Sequence, residues 1–445
     1  MKIRISGMEN GKGFSRLTEV EKDTHGTGRE MALVCVYPDK QYQTIEGFGA
    51  AFTDAAGYVY SQMDPETRRE VIEACFGPDS LGYTWGRTSI DSSDFGTEMY
   101  AADDDPKDEE LRHMDFERND RYVFPLLRDA AQRAGEPIRL MLTPWSPPAY
   151  MKSNGERKHG GKLLEVYADR WAEYMVRTVE HFLEEGMDVR LLSVQNEPNA
   201  TQRWDSCTMT GSEERQFVRC HLGPALERHD LKDRVCLLVW DHNKERALDR
   251  AMEIMTDDEM KDMVGGIAFH WYTGDHFDAI GITHDAFPDK ELFFTEGCVE
   301  YSRFADSGEV GKAEMYAHDM LGNLNAGANG IIDWNLLLDS KGGPNHVQNY
   351  CAAPVMCKED FSDFEKRLSY YYIGHFSRYI RKGAVRLATS RFTDAVEAGA
   401  FENPDGSVAV LLLNRTDSDN WFCLTDGAES RTFTLPAHSI VTVLM

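Results

Sequence analysis

The chain has 445 residues, 42% of them hydrophobic, which is enough for one large barrel domain with a smaller companion. Its formal net charge of −27 repels nucleic-acid phosphates and anionic lipid, so neither is an expected partner. There is no apolar targeting segment behind the basic start and no run of roughly 18 apolar residues, so no membrane association is expected and the cytoplasm is the expected location.

Residues 1–40 are expected to add strands, Met31–Tyr37 the clearest, to a β-domain that the C-terminus completes. Residues 41–380 alternate between two patterns. Short apolar runs rich in β-branched and aromatic residues end in polar, Gly or Pro residues, and longer stretches with helical spacing follow them. The runs are Thr44–Phe52, Tyr83–Ile90, Ile138–Trp145, Val189–Gln195, Val235–Trp240, Gly266–Trp271, Glu291–Thr295 and Gly330–Leu338. The first is the weakest, because its glycines dilute the strand signal. Helices are expected over Asp64–Cys75, Arg121–Ala134, Val166–Glu185, Glu213–Arg228, Lys244–Met263 and Lys312–Asn325. Eight strand–helix units predict an α/β fold with a closed (β/α)8 barrel, and no GxGxxG follows the first run to favour an open dinucleotide-binding sheet. Residues 381–445 change period. Ala384–Ala388, Ala395–Phe401, Ser407–Leu413 and Ser439–Leu444 alternate at two, with a hairpin turn at Asn403-Pro404-Asp405-Gly406. These make an antiparallel β side domain.

The nine cysteines are odd in number, scattered and without a CxxC pair, which argues against a disulfide framework and a structural zinc site. In a (β/α)8 barrel the catalytic groups sit at the C-terminal ends of the strands. Run four leads into Gln195-Asn196-Glu197-Pro198, and run seven into Thr295-Glu296-Gly297. Strands four and seven face each other, so both carboxylates can enter one cleft. Cleavage of a glycosidic bond needs such a pair, one carboxyl protonated and one ionised. A single Glu after a strand is more often a helix cap or loop residue; the conjunction is what carries weight. Other strand ends supply Arg87, Asp94, Trp145, His270, Tyr272 and Trp334, while Glu300 and Asp241 are rival carboxylates.

The stretches QTIEGFGAAFTDAA (Gln43–Ala56), GRTSIDSSDFG (Gly86–Gly96), LTPWSPPAYMKSNG (Leu142–Gly155), SVQNEPNA (Ser193–Ala200), IAFHWYTGD (Ile267–Asp275), LFFTEGC (Leu292–Cys298) and DWNLLLDSKGGPNHVQNY (Asp333–Tyr350) resemble glycoside hydrolase family 30, glucosylceramidase-like branch. The resemblance implies a (β/α)8 barrel joined to a β-sandwich built from both termini. It also implies retaining hydrolysis of β-linked sugars without metal or organic cofactor. It makes Glu197 the acid/base and Glu296 the nucleophile. Asp94, Trp145, Asn196, Trp334 and Asn349 match residues that hold the terminal sugar. Tyr272 matches an aromatic beside the nucleophile, Arg87 an arginine beneath it, and His270 a supporting group. His346 stands where that pattern has tryptophan. The expected substrate is a β-glucoside or short β-gluco-oligosaccharide. Alternatives are a β-1,6-glucanase, β-xylosidase or β-fucosidase with the same mechanism, and a carbohydrate-binding protein without catalysis.

Overall fold

The eight apolar runs become eight short parallel strands that close into a ring. A computed structural model of the chain describes residues 2–9, 12–19 and 32–445. The barrel strands are β1 (Gly47–Ala51), β2 (Trp85–Ile90), β3 (Arg139–Pro144), β4 (Asp188–Ser193), β5 (Cys236–Asn243), β6 (Gly266–His270), β7 (Glu291–Glu296) and β8 (Gly330–Asp333). Each pairs in parallel with its sequence neighbours, and β8 closes on β1. Side chains two residues apart share a face. Trp85, Met141, Leu191, Leu238, Ala268, Phe293 and Ile332 therefore form one apolar layer inside the ring. One pleat higher, Arg87, Thr143, Ser193, His270 and Thr295 form a buried polar layer, and the cleft opens above it.

Helices cover the outside, and proline sets several of their details. Asp64 caps Pro65–Phe76 by accepting from the backbone N–H groups of Glu66 and Thr67 at 2.8 and 2.9 Å. The helix expected over Arg121–Ala134 starts as a π turn, Asn119–Val123, before Phe124–Ala134. The one expected over Glu213–Arg228 carries a π turn, Val218–Leu222, between Gly211–Phe217 and Gly223–Arg228. Pro125 and Pro224 lack an N–H, so the ladder widens just ahead of each. The stretch Lys244–Met263 is not one helix. It breaks into Ala247–Ile254 and Asp258–Met263, because Asp257 caps a new start through the Met260 N–H at 3.1 Å. Three helices escaped the sequence reading: Asp54–Gln62, Phe277–Ala286 and Leu368–Ser377.

The side domain is one nine-stranded sheet whose edge strands share a core. Its order is Lys12–Glu19, Lys2–Glu9, Ser439–Leu444, Val408–Asn414, Val396–Glu402, Val385–Arg391, Leu33–Thr44, Asn420–Thr425, Ser430–Leu435. Both ends of the chain thus build it. Met31 lies outside the described residues, and the strand beginning at Leu33 runs to Thr44, past residue 40 where the sequence reading starts the barrel. Val408–Asn414 is buried on both faces. Val410 and Leu412 join Ile3, Ile5, Phe422 and Leu424 in the sandwich core, whereas Ala409, Leu411 and Leu413 join the barrel core. Helix Leu368–Ser377 ties the layers together. Its buried His375 lies 2.7 Å from Thr442 Oγ1 and 2.9 Å from Ser6 Oγ.

Candidate active site

Two β-bulges aim the central carboxylates. The ladder between β6 and β7 skips Thr295, pairing Phe294 with Phe269 and Glu296 with His270. The ladder between β5 and β6 skips Asp241 in the same way. A bulge resets the alternation of faces, so Thr295 and Glu296, though consecutive, both reach inward. Glu197 follows β4 in a left-handed conformation, φ +43°. Such a conformation costs a non-glycine residue roughly 1–3 kcal/mol and persists only where the surroundings impose it. Here its N–H donates to the Asp241 carbonyl at 3.0 Å, and its carbonyl accepts from Ala200 N–H at 2.8 Å.

Arg87 is the hub. Fully buried, it donates to Glu296 Oε2 at 2.6 Å, Asn196 Oδ1 at 2.8 Å, Asp241 Oδ2 at 2.9 Å and Thr143 Oγ1 at 3.2 Å. Tyr272 OH donates to the other Glu296 oxygen at 2.9 Å. His270 bridges Glu197 Oε1 at 3.2 Å and Asp241 Oδ1 at 3.0 Å. Ser193 and Thr295 hydroxyls complete the Asp241 shell at 2.6 and 2.7 Å. Asp94 accepts from the side-chain amides of Asn345 at 3.0 Å and Asn349 at 3.3 Å. Trp145 and Trp334 stack 5.2 Å apart over Arg87, whose guanidinium lies 4.8 and 5.3 Å from their ring centres. All ten residues singled out in the sequence therefore meet around one cleft. The rivals take other places: Asp241 is wholly buried beneath it, and Glu300 stands at its lip paired with Arg303 at 3.3 Å. His346 is not among the cleft-lining residues; its N–H donates to the Asp94 carbonyl at 3.2 Å.

Burial works against charge throughout the site, and the ion pairs answer it. The Arg87 cation and the His270 hydrogen bond overcome burial at Asp241 and hold its carboxyl well below the usual range. Burial opposes charge on His270, but Glu296, Asp241 and Glu197 together hold the imidazole up to about 9. At Glu296 burial prevails over His270 and Arg87, lifting the carboxyl above its usual range. At Glu197 burial is outweighed by the His270 hydrogen bond and the nearby His242, His270 and Arg87, leaving the carboxyl low. Burial pushes His242 down to about 4, so at neutral pH that ring carries no charge with which to hold Glu197 down. The directed donors also point the other way. Two meet Glu296, and only His270 meets Glu197. The pair titrates together, with charge favoured on Glu296 and the shared proton on Glu197.

One oxygen of Glu197, one of Glu296 and a His270 nitrogen lie within 4.8 Å of one another, a grouping that could suggest a metal. The protonated imidazole donates from both nitrogens, so it has no lone pair to give a metal ion. The carboxylate spacing matches the roughly 5–5.5 Å of glycosidases that use one carboxylate as nucleophile, not the roughly 6.5–9.5 Å of those that place a water between them.

Residues 45–380 match the glycosyl hydrolase family 30 TIM-barrel domain, and residues 383–443 its β-sandwich domain. The chain belongs to glycosyl hydrolase family 30. Its family 30 relatives include the lysosomal acid glucosylceramidase of Mus musculus, 31% identical over 92% of this chain and 81% of that protein. The structure of SrfJ from Salmonella typhimurium superposes with a TM-score of 0.93 at 35% identity, over 100% of this chain and 99% of that one. The endo-β1,6-glucanase BT3312 superposes with a TM-score of 0.89 at 27% identity, over 100% and 99%. The chain is thus a glycoside hydrolase with the barrel-and-sandwich architecture of its family.

Four participants had no label in the sequence reading: Asn345, which holds Asp94, His242, Cys298 beside Tyr272, and Asp241 as the link from Arg87 to His270. Asn345 alone had a signal, lying inside the matching DWNLLLDSKGGPNHVQNY stretch.

Proposed function

We propose that the protein is a retaining β-glucosidase in which Glu296 attacks the anomeric carbon and Glu197 serves as acid and then base. The observation that carries this is the approach of the two glutamates within 4.8 Å across the cleft. In the first step Glu296 Oε forms a bond to the anomeric carbon while the bond to the leaving oxygen breaks. The Glu197 proton goes to that oxygen. Arg87 and Tyr272 fix the attacking carboxylate and favour its charge. Once Glu296 is an ester its negative charge is gone, and Glu197 becomes the more acidic for it. Glu197 then takes a proton from water, water oxygen bonds to the anomeric carbon, and Glu296 departs. Two inversions return the β-anomer. Asp94 and Asn349 are proposed to hold hydroxyls of the terminal sugar between Trp145 and Trp334, with Asn196 and His270 supporting them.

The glucosylceramidase name of the mouse relative supports glucose as the terminal sugar. The likeness to an endo-β1,6-glucanase favours one second reading, the same chemistry on β-1,6-linked glucan. We propose a cytosolic setting as well, since all nine cysteines are free thiols. No helix among the described residues is long and apolar enough to cross a membrane.

A 2-deoxy-2-fluoro β-glucoside with a good leaving group tests the assignment. The intact enzyme is expected to add one fluoroglucosyl unit, found on Glu296 by peptide mass mapping. A label on Glu300 or Asp241 refutes it.

A further inference from the structure

Glu197 divides the cleft. The terminal-sugar side is lined by Asp94, Trp145 and Trp334, and its polar groups are hydrogen-bonded to one another. On the other side the loop after β4 contributes Gln202 and Trp204, and β5 contributes His242. These three differ from the rest. The Gln202 amide, the Trp204 indole N–H and both ring nitrogens of His242 have no hydrogen-bond partner among the described residues. Polar groups of a protein interior are nearly always paired, and leaving one buried and unpaired costs roughly 1–3 kcal/mol. Three such side chains around one opening are groups waiting for a partner.

We propose that Gln202, Trp204 and His242 form a subsite for a carbohydrate leaving group, resting on the β-glucosidase reading above. An aromatic face beside planar amide and imidazole groups is the chemistry that recognises a pyranose: the ring covers C–H groups, and the polar atoms meet hydroxyls. The His242 imidazole, neutral by burial, offers one donor and one acceptor, and so can both give to and take from hydroxyls. It packs against Trp240 at 5.1 Å and lies parallel to His270 at 6.3 Å, which holds it at the edge of the cleft. The lip opposite carries the Glu300–Arg303 ion pair, and Arg303 also donates to the Tyr272 carbonyl at 3.0 Å. A hydrocarbon leaving group would find charges there and leave every one of these polar groups unmet. The exposed large apolar residues, Leu17, Tyr42, Val166, Met252, Ile282 and Trp421 among them, all lie away from the cleft.

The test compares substrates that share a glucosyl unit and differ in what leaves. β-Glucosyl fluoride has a leaving group of one atom and makes no use of the subsite; β-linked glucose disaccharides fill it. Trp204→Ala and Gln202→Ala are expected to lower kcat/KM on the best disaccharide at least tenfold while leaving the fluoride within about twofold. A second measurement uses the unaltered protein. The 2-fluoroglucosyl enzyme is expected to be reactivated saturably by a glucoside acceptor and not by an aliphatic alcohol of similar size. Equal losses on both substrates, no loss on the disaccharide, or faster reactivation by the aliphatic alcohol overturns the proposal. No turnover of β-glucosyl fluoride by the unaltered protein defeats instead the β-glucosidase reading on which it rests.

Discussion

Asp94 sits in the cleft with its carboxyl pushed up to about 7, by burial first, and by the charge of Glu296 against the pull of Asn345. Sugar hydroxyls donating to it favour the ionised form. The sign follows. Above about 7 the group is a charged acceptor and holds the sugar best; as pH falls through that value it takes a proton, and the hold weakens. kcat/KM on a β-glucoside is therefore expected to decline on the acid side with a limb near 7. Asp94→Asn should lower kcat/KM at least tenfold at pH 8, about 1.4 kcal/mol, and lose that limb. A pH profile of both forms checks it, and a loss under about threefold makes Asp94 scaffold only. At this scale the sequence was most informative where a side chain acts from a strand end. Glu197, Glu296 and Arg87 each follow or end an apolar run, and ordered motifs surround them. Asp241 was legible only as a rival, because its place depends on Arg87 from β2 and His270 from β6. Gln202 and Trp204 stand in a loop whose course no periodicity predicts.

The first barrel run looked weak as a strand for the reason that it works as one. A Cβ at Gly49 would overlap the backbone carbonyl of Trp85 on the neighbouring strand, and a Cβ at Gly86 would press on the Phe52 ring. Glycine is there to let backbones and rings approach. Gly49→Ala is expected to cost about 3 kcal/mol or more, since a backbone cannot yield as a side chain does. Gly281→Ala is the control. It sits in helix Phe277–Ala286 with only the Ala326 carbonyl near, at 4.0 Å, and should be neutral or stabilising by up to about 1 kcal/mol. Urea midpoints of the two variants against the parent measure this; equal behaviour contradicts it. Strands were legible as apolar runs, yet their ends were not. Run eight was read to Leu338, whereas β8 stops at Asp333 and the chain turns at Asn335, φ +55°. The helices missed were those without a polar face, such as Asp54–Gln62, buried at Asp54, Ala55, Ala56, Gly57, Val59 and Tyr60. The two π turns left only their prolines as a trace.

At the scale of the molecule, eight alternating units and a change of period near residue 381 were enough to indicate a barrel with a β side domain. What the pattern left open was how the parts join. Val408–Asn414 is apolar on both faces because one face belongs to each core, and helix Leu368–Ser377 is apolar nearly all round because it is clamped between them. That packing holds the barrel, and the barrel holds Glu197 on β4's end and Glu296 on β7 close enough for direct attack. The stereochemistry of the reaction reads this architecture out in one experiment. Proton NMR during the first turnovers of an activated aryl β-glucoside resolves the anomer released before mutarotation mixes the two. The account predicts β-glucose first, from two inversions at the anomeric carbon. An initial α-anomer would mean a single inversion with water between the carboxylates, and would contradict the account at its centre.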